Sequence, residues 1–502
     1  MRRPVVWASC PPPTTGTSRP PARTDVKARP PRRAPLIGSL PRETVGDVTE
    51  LHELDAHDLA ATIARGDVSC VEVTRHFLER VEADELGAFV TVTPERALAR
   101  AADLDTMTER PAFAGVPTAF KDLTMTAGVP TSMGSRLMAE NVPDHNAHVV
   151  DLVEAAGFVS LGKTNTPEFG LSSYTDNDVV GPARAPADPR LNAGGSSGGA
   201  AAAVGSGLLP WAPGSDGGGS IRIPASCCGV IGFKPSRGRV GAGPDSATWN
   251  GLATDGVLAR SVRDVAAVLD LLARPVPGSS RVWPAPSVTF AESTTRDPGR
   301  LRIASWTDPY LDFATASPGS VAAVEAARDA LAALGHEIVE IANPWPAELE
   351  QQFNVVWSAG MASVPLPDAA IAQLRPTTRY WYERGGRASA PELAAALTHL
   401  ELTTAAVNAS LADIDLFLTP TLALPPQPHA WFTESGDPAE DHRRELLFTP
   451  YTALMNMSGQ PAVSVPGHVH EGLPVGVMIA GHVGADALVL QVADQLVSRA
   501  RS

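Results

Sequence analysis

Cysteine is scarce in this chain: Cys10, Cys70, Cys227 and Cys228 are the only four in 502 residues, and two are adjacent. That excludes a disulfide-stapled small domain. With no CxxC pairing it also excludes a cysteine zinc site, so a reducing, cytoplasmic compartment is expected, with no metal and no cofactor. Long apolar runs are missing as well. No stretch approaches the ~20 apolar residues of a membrane span, and no apolar core follows Arg2 and Arg3 as a secretory signal requires, so no membrane partner is expected. Positive charge is scarce in the body. Residues 1–45 carry +7, which leaves −22 of the formal −15 on the remainder. An acidic body is no nucleic-acid platform, which needs clustered cations to neutralise phosphates. Histidine has a gap of its own: none of the 12 lies between His148 and His336.

What is present divides the chain in two. Residues 1–46 are basic and rich in proline, with almost no periodic apolar residues. Such a segment cannot bury enough surface to offset its ordering entropy, so a disordered tail is expected, or a start codon assigned too far upstream. From Leu51 onward Leu59, Ile63, Val68, Val71, Val73, Phe77 and Val81 recur at helical spacing, which predicts two helices broken near Gly66. Residues 117–123 predict a short buried strand carrying Lys121. A helix over 149–156 is stopped by Gly157, and a strand follows over 158–161. Further helices are predicted over 200–204, 260–274, 319–334, 391–413 and 485–497. Strands are predicted at 301–305, 416–418, 462–465 and 475–479, and 274–298 reads as a linker. Helix, strand and glycine turn recur, which predicts a layered α/β core. The sequons at Asn408 and Asn456 carry little weight without a secretory signal.

Two glycine-rich constellations compete for chemistry. Gly157-x-x-x-x-Gly162-Lys163-Thr164 satisfies the P-loop expression, but a helix precedes Gly157 and strand residues fill the supposed loop. The context is inverted, so the segment reads as a helix-to-strand turn with Lys163 on the surface. The second constellation is Gly194-Gly-Ser-Ser-Gly-Gly199 followed by Asp216-Gly-Gly-Gly-Ser220. Glycine turns let backbone amides face a ligand, and a serine ending such a turn sits beside those donors, as an acyl-transfer nucleophile needs. A serine hydroxyl needs a base. With histidine distant in sequence, a lysine kept neutral by burial is the other choice, and Lys121 among Phe120 and Leu123 is the clear candidate.

The run from Gly194 to Val204, continued from Gly214 to Arg239, closely resembles the amidase signature family. Phe113-Ala-Gly-Val-Pro, Phe120-Lys-Asp-Leu, Leu161-Gly-Lys-Thr-Asn-Thr-Pro-Glu-Phe-Gly170, Leu258-Ala-Arg-Ser-Val-Arg-Asp264 and Met457-Ser-Gly-Gln-Pro-Ala462 resemble family segments in family order. The resemblance spans about 50–498. It implies a mixed β-sheet core flanked by helices on both faces, over 47–502: a signature core at about 110–275, a helical cover at 319–445 and a C-terminal core segment at 446–498. It also implies a Ser-cisSer-Lys triad, with Ser220 as nucleophile, Ser196 as bridging serine and Lys121 as base. Backbone amides of Gly217, Gly218, Gly219 and Ser220 would form the oxyanion hole. Ser197 is expected to support the triad, Asp216 and Arg222 to pair and hold the loop, and Cys227 and Cys228 to be inert buried thiols. Thr175 and Asn177 are candidate substrate contacts.

The implied activity is hydrolysis of a small-molecule carboxamide to acid plus ammonia or amine through a seryl acyl-enzyme. The implied partner is a small amide substrate, and a homodimer is compatible with the family. The alternative is the glutaminase subunit of an aminoacyl-tRNA amidotransferase. Leu123, Pro130-Thr-Ser-Met133 and Ile223 stand where those subunits typically carry Asn, a Thr-Thr-Cys-Ala-Ser-like run and Gln. Gly181-Pro-Ala-Arg-Ala-Pro-Ala187 departs from the usual Asn- and Trp-containing family segment, and Gly217 stands where Thr is frequent. Phe353, Trp357, Tyr380, Trp381, Tyr382 and Trp431 are candidate cleft walls, favouring an apolar acyl or aryl amide.

Overall fold

A computed structural model describes residues 50–243, 248–276 and 283–500. The basic tail expected over 1–46 lies outside the described residues.

Thirteen strands are present among them. Strands β1 (Phe89–Val92), β2 (Pro117–Lys121) and β3 (Val159–Thr164) form a small sheet in the order β1-β3-β2, and β4 (Arg184–Ala185) and β5 (Asp188–Asn192) form a hairpin. The remaining strands are β6 (Trp211–Asp216), β7 (Ile231–Lys234), β8 (Thr254–Ala259), β9 (Arg302–Ser305), β10 (Glu337–Glu340), β11 (Leu416–Pro420), β12 (Ala462–His470) and β13 (Leu473–Gly481). They form one eight-stranded sheet in the order β10-β9-β11-β13-β12-β7-β8-β6. Strand β9 runs parallel to β10 and β11, and the other pairings are antiparallel, so the sheet is mixed as the resemblance implies.

Alternation along the strands divides this sheet between two cores, because successive side chains leave opposite faces. Ile303, Leu416, Leu418, Val463, Val465, Val477 and Ile479 enter one core. Their neighbours Ala304, Phe417, Ala462, Met478 and Ala480 enter the other. The first core takes helices Val262–Leu272, Pro318–Ala333 and Asp486–Ala500. The second takes helices Leu349–Ala362, Pro376–Arg387 and Ala390–Ser410. Helix Pro318–Ala333 thus packs on the sheet, although it falls inside the stretch expected as cover.

Strands β6, β7 and β8 escape the sequence reading for a physical reason. Each carries glycine, and β6 also carries Pro213, which removes a ladder donor and is tolerated because β6 lies at the sheet edge. The expected linker over 274–298 also contains structure: Phe290–Thr294 is helical, with Phe290 buried. Residues 277–282 of that stretch lie outside the described residues. No described helix is long and apolar enough to cross a membrane.

Candidate active site

Lys163 corrects one expectation. Helix His148–Ala155 does turn at Gly157 into β3, but β3 is the central strand of its sheet, so Lys163 is buried and not on the surface. Its ammonium donates to the Thr124 carbonyl and, at 2.9 Å, to Thr131 Oγ1. Burial lowers its pKa to about 8 while Asp122 opposes the shift. It ties the β2–β3 region together and meets no phosphate cradle.

Lys121 is the last residue of β2 and is 1% exposed. Its Nζ donates to Ser196 Oγ at 2.7 Å and to Ser215 Oγ at 3.1 Å. Burial lowers its pKa to about 7, against the opposing pull of Asp216 and Asp255. A lysine near 7 is substantially neutral at physiological pH and able to accept a proton. Ser196 follows a cis peptide from Gly195 and precedes helix Gly198–Gly205. Close approach explains the glycines around it: a Cβ on Gly195 would lie 2.7 Å from the Tyr174 carbonyl, and one on Gly199 would lie 2.3 Å from the Asn165 amide nitrogen.

Ser220 stands between β6 and helix Arg222–Cys228. Its carbonyl accepts from the Ser197 amide at 3.0 Å, which ties the two serine loops together. Ser220 lines a cleft with Gly218, Phe353, Trp357 and Trp381. No hydrogen bond joins the Ser196 and Ser220 hydroxyls among the described residues.

The loop before Ser220 is held by a buried ion pair. Arg222 Nη2 and Nε donate to Asp216 Oδ1 and Oδ2 at 2.9 and 3.0 Å, with both side chains 0% exposed. Asn456 completes the cluster: its Nδ2 donates to the Asp216 carbonyl and carboxylate, and its Oδ1 accepts from Arg222 at 2.7 Å. Despite burial, the Arg222 charge and hydrogen bonds hold the Asp216 carboxyl well below the usual range. The remaining Asp216 bonds accept from the amides of Gly219 at 2.8 Å and Ile221 at 3.0 Å. Gly219 is therefore a correction to the expected oxyanion hole, because its N–H is already spent on Asp216. Among the described residues no hydrogen bond engages the amides of Gly217, Gly218 or Ser220. Ser197 Oγ donates to the Ser215 carbonyl at 3.4 Å, a loop-to-loop support.

Thr175 and Asn177 do not reach the cleft. Thr175 Oγ1 donates to the Gly194 carbonyl at 2.8 Å. Asn177 Nδ2 donates to Asn165 Oδ1 at 2.6 Å and to the Thr166 carbonyl at 2.8 Å, and its Oδ1 accepts from two backbone amides. Thr175 thus holds the start of the serine loop, and the side-chain amide of Asn177 is taken up by the 165–166 and 179–180 segments. Of the six aromatic candidates, Phe353, Trp357 and Trp381 line the cleft, whereas Tyr380, Tyr382 and Trp431 do not. Sequence reasoning missed Tyr310, His442, Glu445 and Thr449 in the cleft, and Asn456 behind it. Asn456 carried a signal, since it adjoins the family-like Met457 segment. Cys227 and Cys228 are buried, which raises both thiols far above the range of reactive cysteines.

A mixed sheet with a buried lysine against a serine loop and a second serine opening on an aromatic cleft defines an amide-hydrolase architecture. A family model described as Amidase matches residues 72–490, and the chain belongs to that family. It is 35% identical over 477 residues to 6-aminohexanoate-cyclic-dimer hydrolase of Paenarthrobacter ureafaciens, covering 88% of this chain and 94% of that one. It is 34% identical over 461 residues to the acylamidase of Rhodococcus erythropolis, again covering 88% and 94%. A solved structure of 6-aminohexanoate cyclic dimer hydrolase complexed with substrate superposes with a TM-score of 0.82 at 32% identity, covering 90% of this chain and 98% of that one. The protein is an amidase, an enzyme hydrolysing carbon–nitrogen bonds of small-molecule amides, and the amidotransferase-subunit alternative is not favoured.

Proposed function

We propose that hydrolysis runs through a seryl acyl-enzyme on Ser220, with Lys121 as base acting through Ser196. The observation that carries the reading is the 2.7 Å contact between Lys121 Nζ and Ser196 Oγ, made by a lysine that burial keeps largely neutral. Ser220 Oγ attacks the amide carbonyl carbon as its proton passes to Ser196 Oγ and that of Ser196 passes to Lys121 Nζ. The contact between the two hydroxyls closes when substrate binds, as apo catalytic hydrogen bonds commonly tighten in the complex. The amides of Gly217, Gly218 and Ser220 receive the oxyanion, each donor contributing about 3 kcal/mol. Collapse breaks the C–N bond and the leaving amine takes the proton back through Ser196. Water then attacks the acyl carbon, and its proton follows the same relay until the acid leaves and the Ser220 hydroxyl is restored.

Phe353, Trp357 and Trp381 support an apolar acyl or aryl amide as substrate, since an aromatic cleft rewards burial of apolar surface at roughly 25 cal/mol per Å². A cytoplasmic setting is supported by the buried free thiols Cys70, Cys227 and Cys228. A homodimer is also proposed, two-fold dimers being the commonest soluble assembly; sedimentation velocity reads it.

Ser220→Ala tests the mechanism. The expected result is loss of anilide hydrolysis and of fluorophosphonate labelling with the thermal melt retained. Full labelling of that variant would overturn the assignment.

A further inference from the structure

The side of Lys121 away from Ser196 is also occupied. Lys121 Nζ donates to Ser215 Oγ at 3.1 Å and to the Ser215 carbonyl at 3.4 Å. Ser215 lies on β6, and the β6–β8 register sets Asp255 directly across from it. Directly opposed residues of an antiparallel pair leave the same face with Cβ atoms about 5 Å apart. The Asp255 carboxyl and the Ser215 hydroxyl therefore share the face on which the lysine ends. No hydrogen bond engages that carboxyl among the described residues. Asp255 and Ser215 are both partly exposed, whereas Lys121 is 1% exposed.

Two carboxylates act electrostatically on Lys121: Asp216 from β6 and Asp255 from β8. Asp216 is already matched by Arg222 and Asn456, with Lys234 of β7 also acting on it. On the β2–β3 side Asp122 is taken by Ser132, and Lys163 by Thr124 and Thr131. Of the two, Asp255, opposite Ser215 in the register, has no cation other than Lys121 acting on it.

We infer that Asp255 is a positioning residue for the base: its carboxylate, held on the Ser215 side by the β6–β8 register, favours the protonated lysine and so sets the lower pH bound of catalysis. The inference rests on the proposed Ser220–Ser196–Lys121 reading. Electrostatics agree in both directions. Asp255 opposes the loss of charge that burial imposes on Lys121, and Lys121 opposes the rise, to about 6, that burial imposes on Asp255. Because the base works unprotonated, removing this carboxylate should extend activity toward lower pH.

The test is the kcat/KM profile from pH 5 to 9 on an anilide substrate, using the full chain with Asp255 native, Asp255→Asn or Asp255→Glu. Fluorophosphonate labelling at Ser220 is checked first at pH 8.5. Asp255→Asn is expected to move the acid limb down by about 0.5 pH unit or more, so that activity at pH 6, relative to the variant's own plateau, rises about threefold. Asp255→Glu should restore the native limb. If Asp255→Asn does not fold, Asp255→Ser carries the same expectation. An unmoved acid limb in a folded neutral variant, or a uniform loss at every pH, overturns the inference. Absence of labelling in the native protein removes the serine reading itself, and this inference with it.

Discussion

Lys121 Nζ and Ser196 Oγ stand 2.7 Å apart, with Lys121 only 1% and Ser196 2% exposed. Among the described residues no carboxylate hydrogen-bonds this ammonium; its partners are hydroxyls and a carbonyl. A buried lysine so placed gains little from holding its charge, and burial outweighs the more distant Asp216 and Asp255.

Lys121→Met should lower kcat on the order of a thousandfold while the fold persists, the usual loss when a positioned base is removed. The native enzyme should gain kcat/KM as pH rises through about 7, where Lys121 loses its proton. Stability follows the same sign. Lys121 titrates lower folded than unfolded, so the unfolded chain binds more protons between about 7 and 10.5, and this group adds stability as pH rises across that window. Urea melts at several pH values should show a shallower rise for the Met variant.

Arg222→Met should destabilise the protein by about 3–5 kcal/mol, because Asp216 is left as an unpaired buried charge. The double change Asp216→Asn with Arg222→Met should cost less than the sum of the single changes. Denaturant midpoints for the four proteins of this cycle measure the coupling.

Gly219 sits at φ +129°, and a Cβ there would meet Thr452 Oγ1 at 2.2 Å. Gly219→Ala should therefore abolish activity and lower the melting temperature. Gly218→Ala meets only the flexible end of Phe353, at 3.2 Å, and should retain the fold with a modest loss of activity. Comparing both variants in one thermal and kinetic assay separates backbone strain from crowding of the cleft.

Phe353 stacks on Trp357 with ring centroids 5.3 Å apart and lines the cleft. Phe353→Ala should raise KM for anilides by roughly tenfold or more, the value of one buried aromatic contact, with little change for acetamide. An equal effect on both substrates would move the acyl or aryl site away from this wall.

Much of the candidate site was legible because its residues lie in short contiguous runs. Gly194–Gly199 and Asp216–Ser220 place serines and glycine amides within a few residues, and the lone lysine of an apolar strand marked Lys121. Strands of plain apolar alternation, β11 to β13, were legible for the same local reason. Strands β6 to β8 were not, since glycine and proline erase the pattern and only pairing in the sheet orders them.

The chain alone determined which chemistry is available: a serine loop, a glycine turn, a lysine without a nearby histidine, and an acidic body. Tertiary structure decided who meets whom. Neighbours along the sequence said nothing of Asn456 reaching Asp216 or Asp255 lying opposite Ser215, because each is set by strand register or helix docking. The same packing turned Thr175, Asn177 and Lys163 inward. Burial requires polar groups to find partners, and those partners lay on other elements.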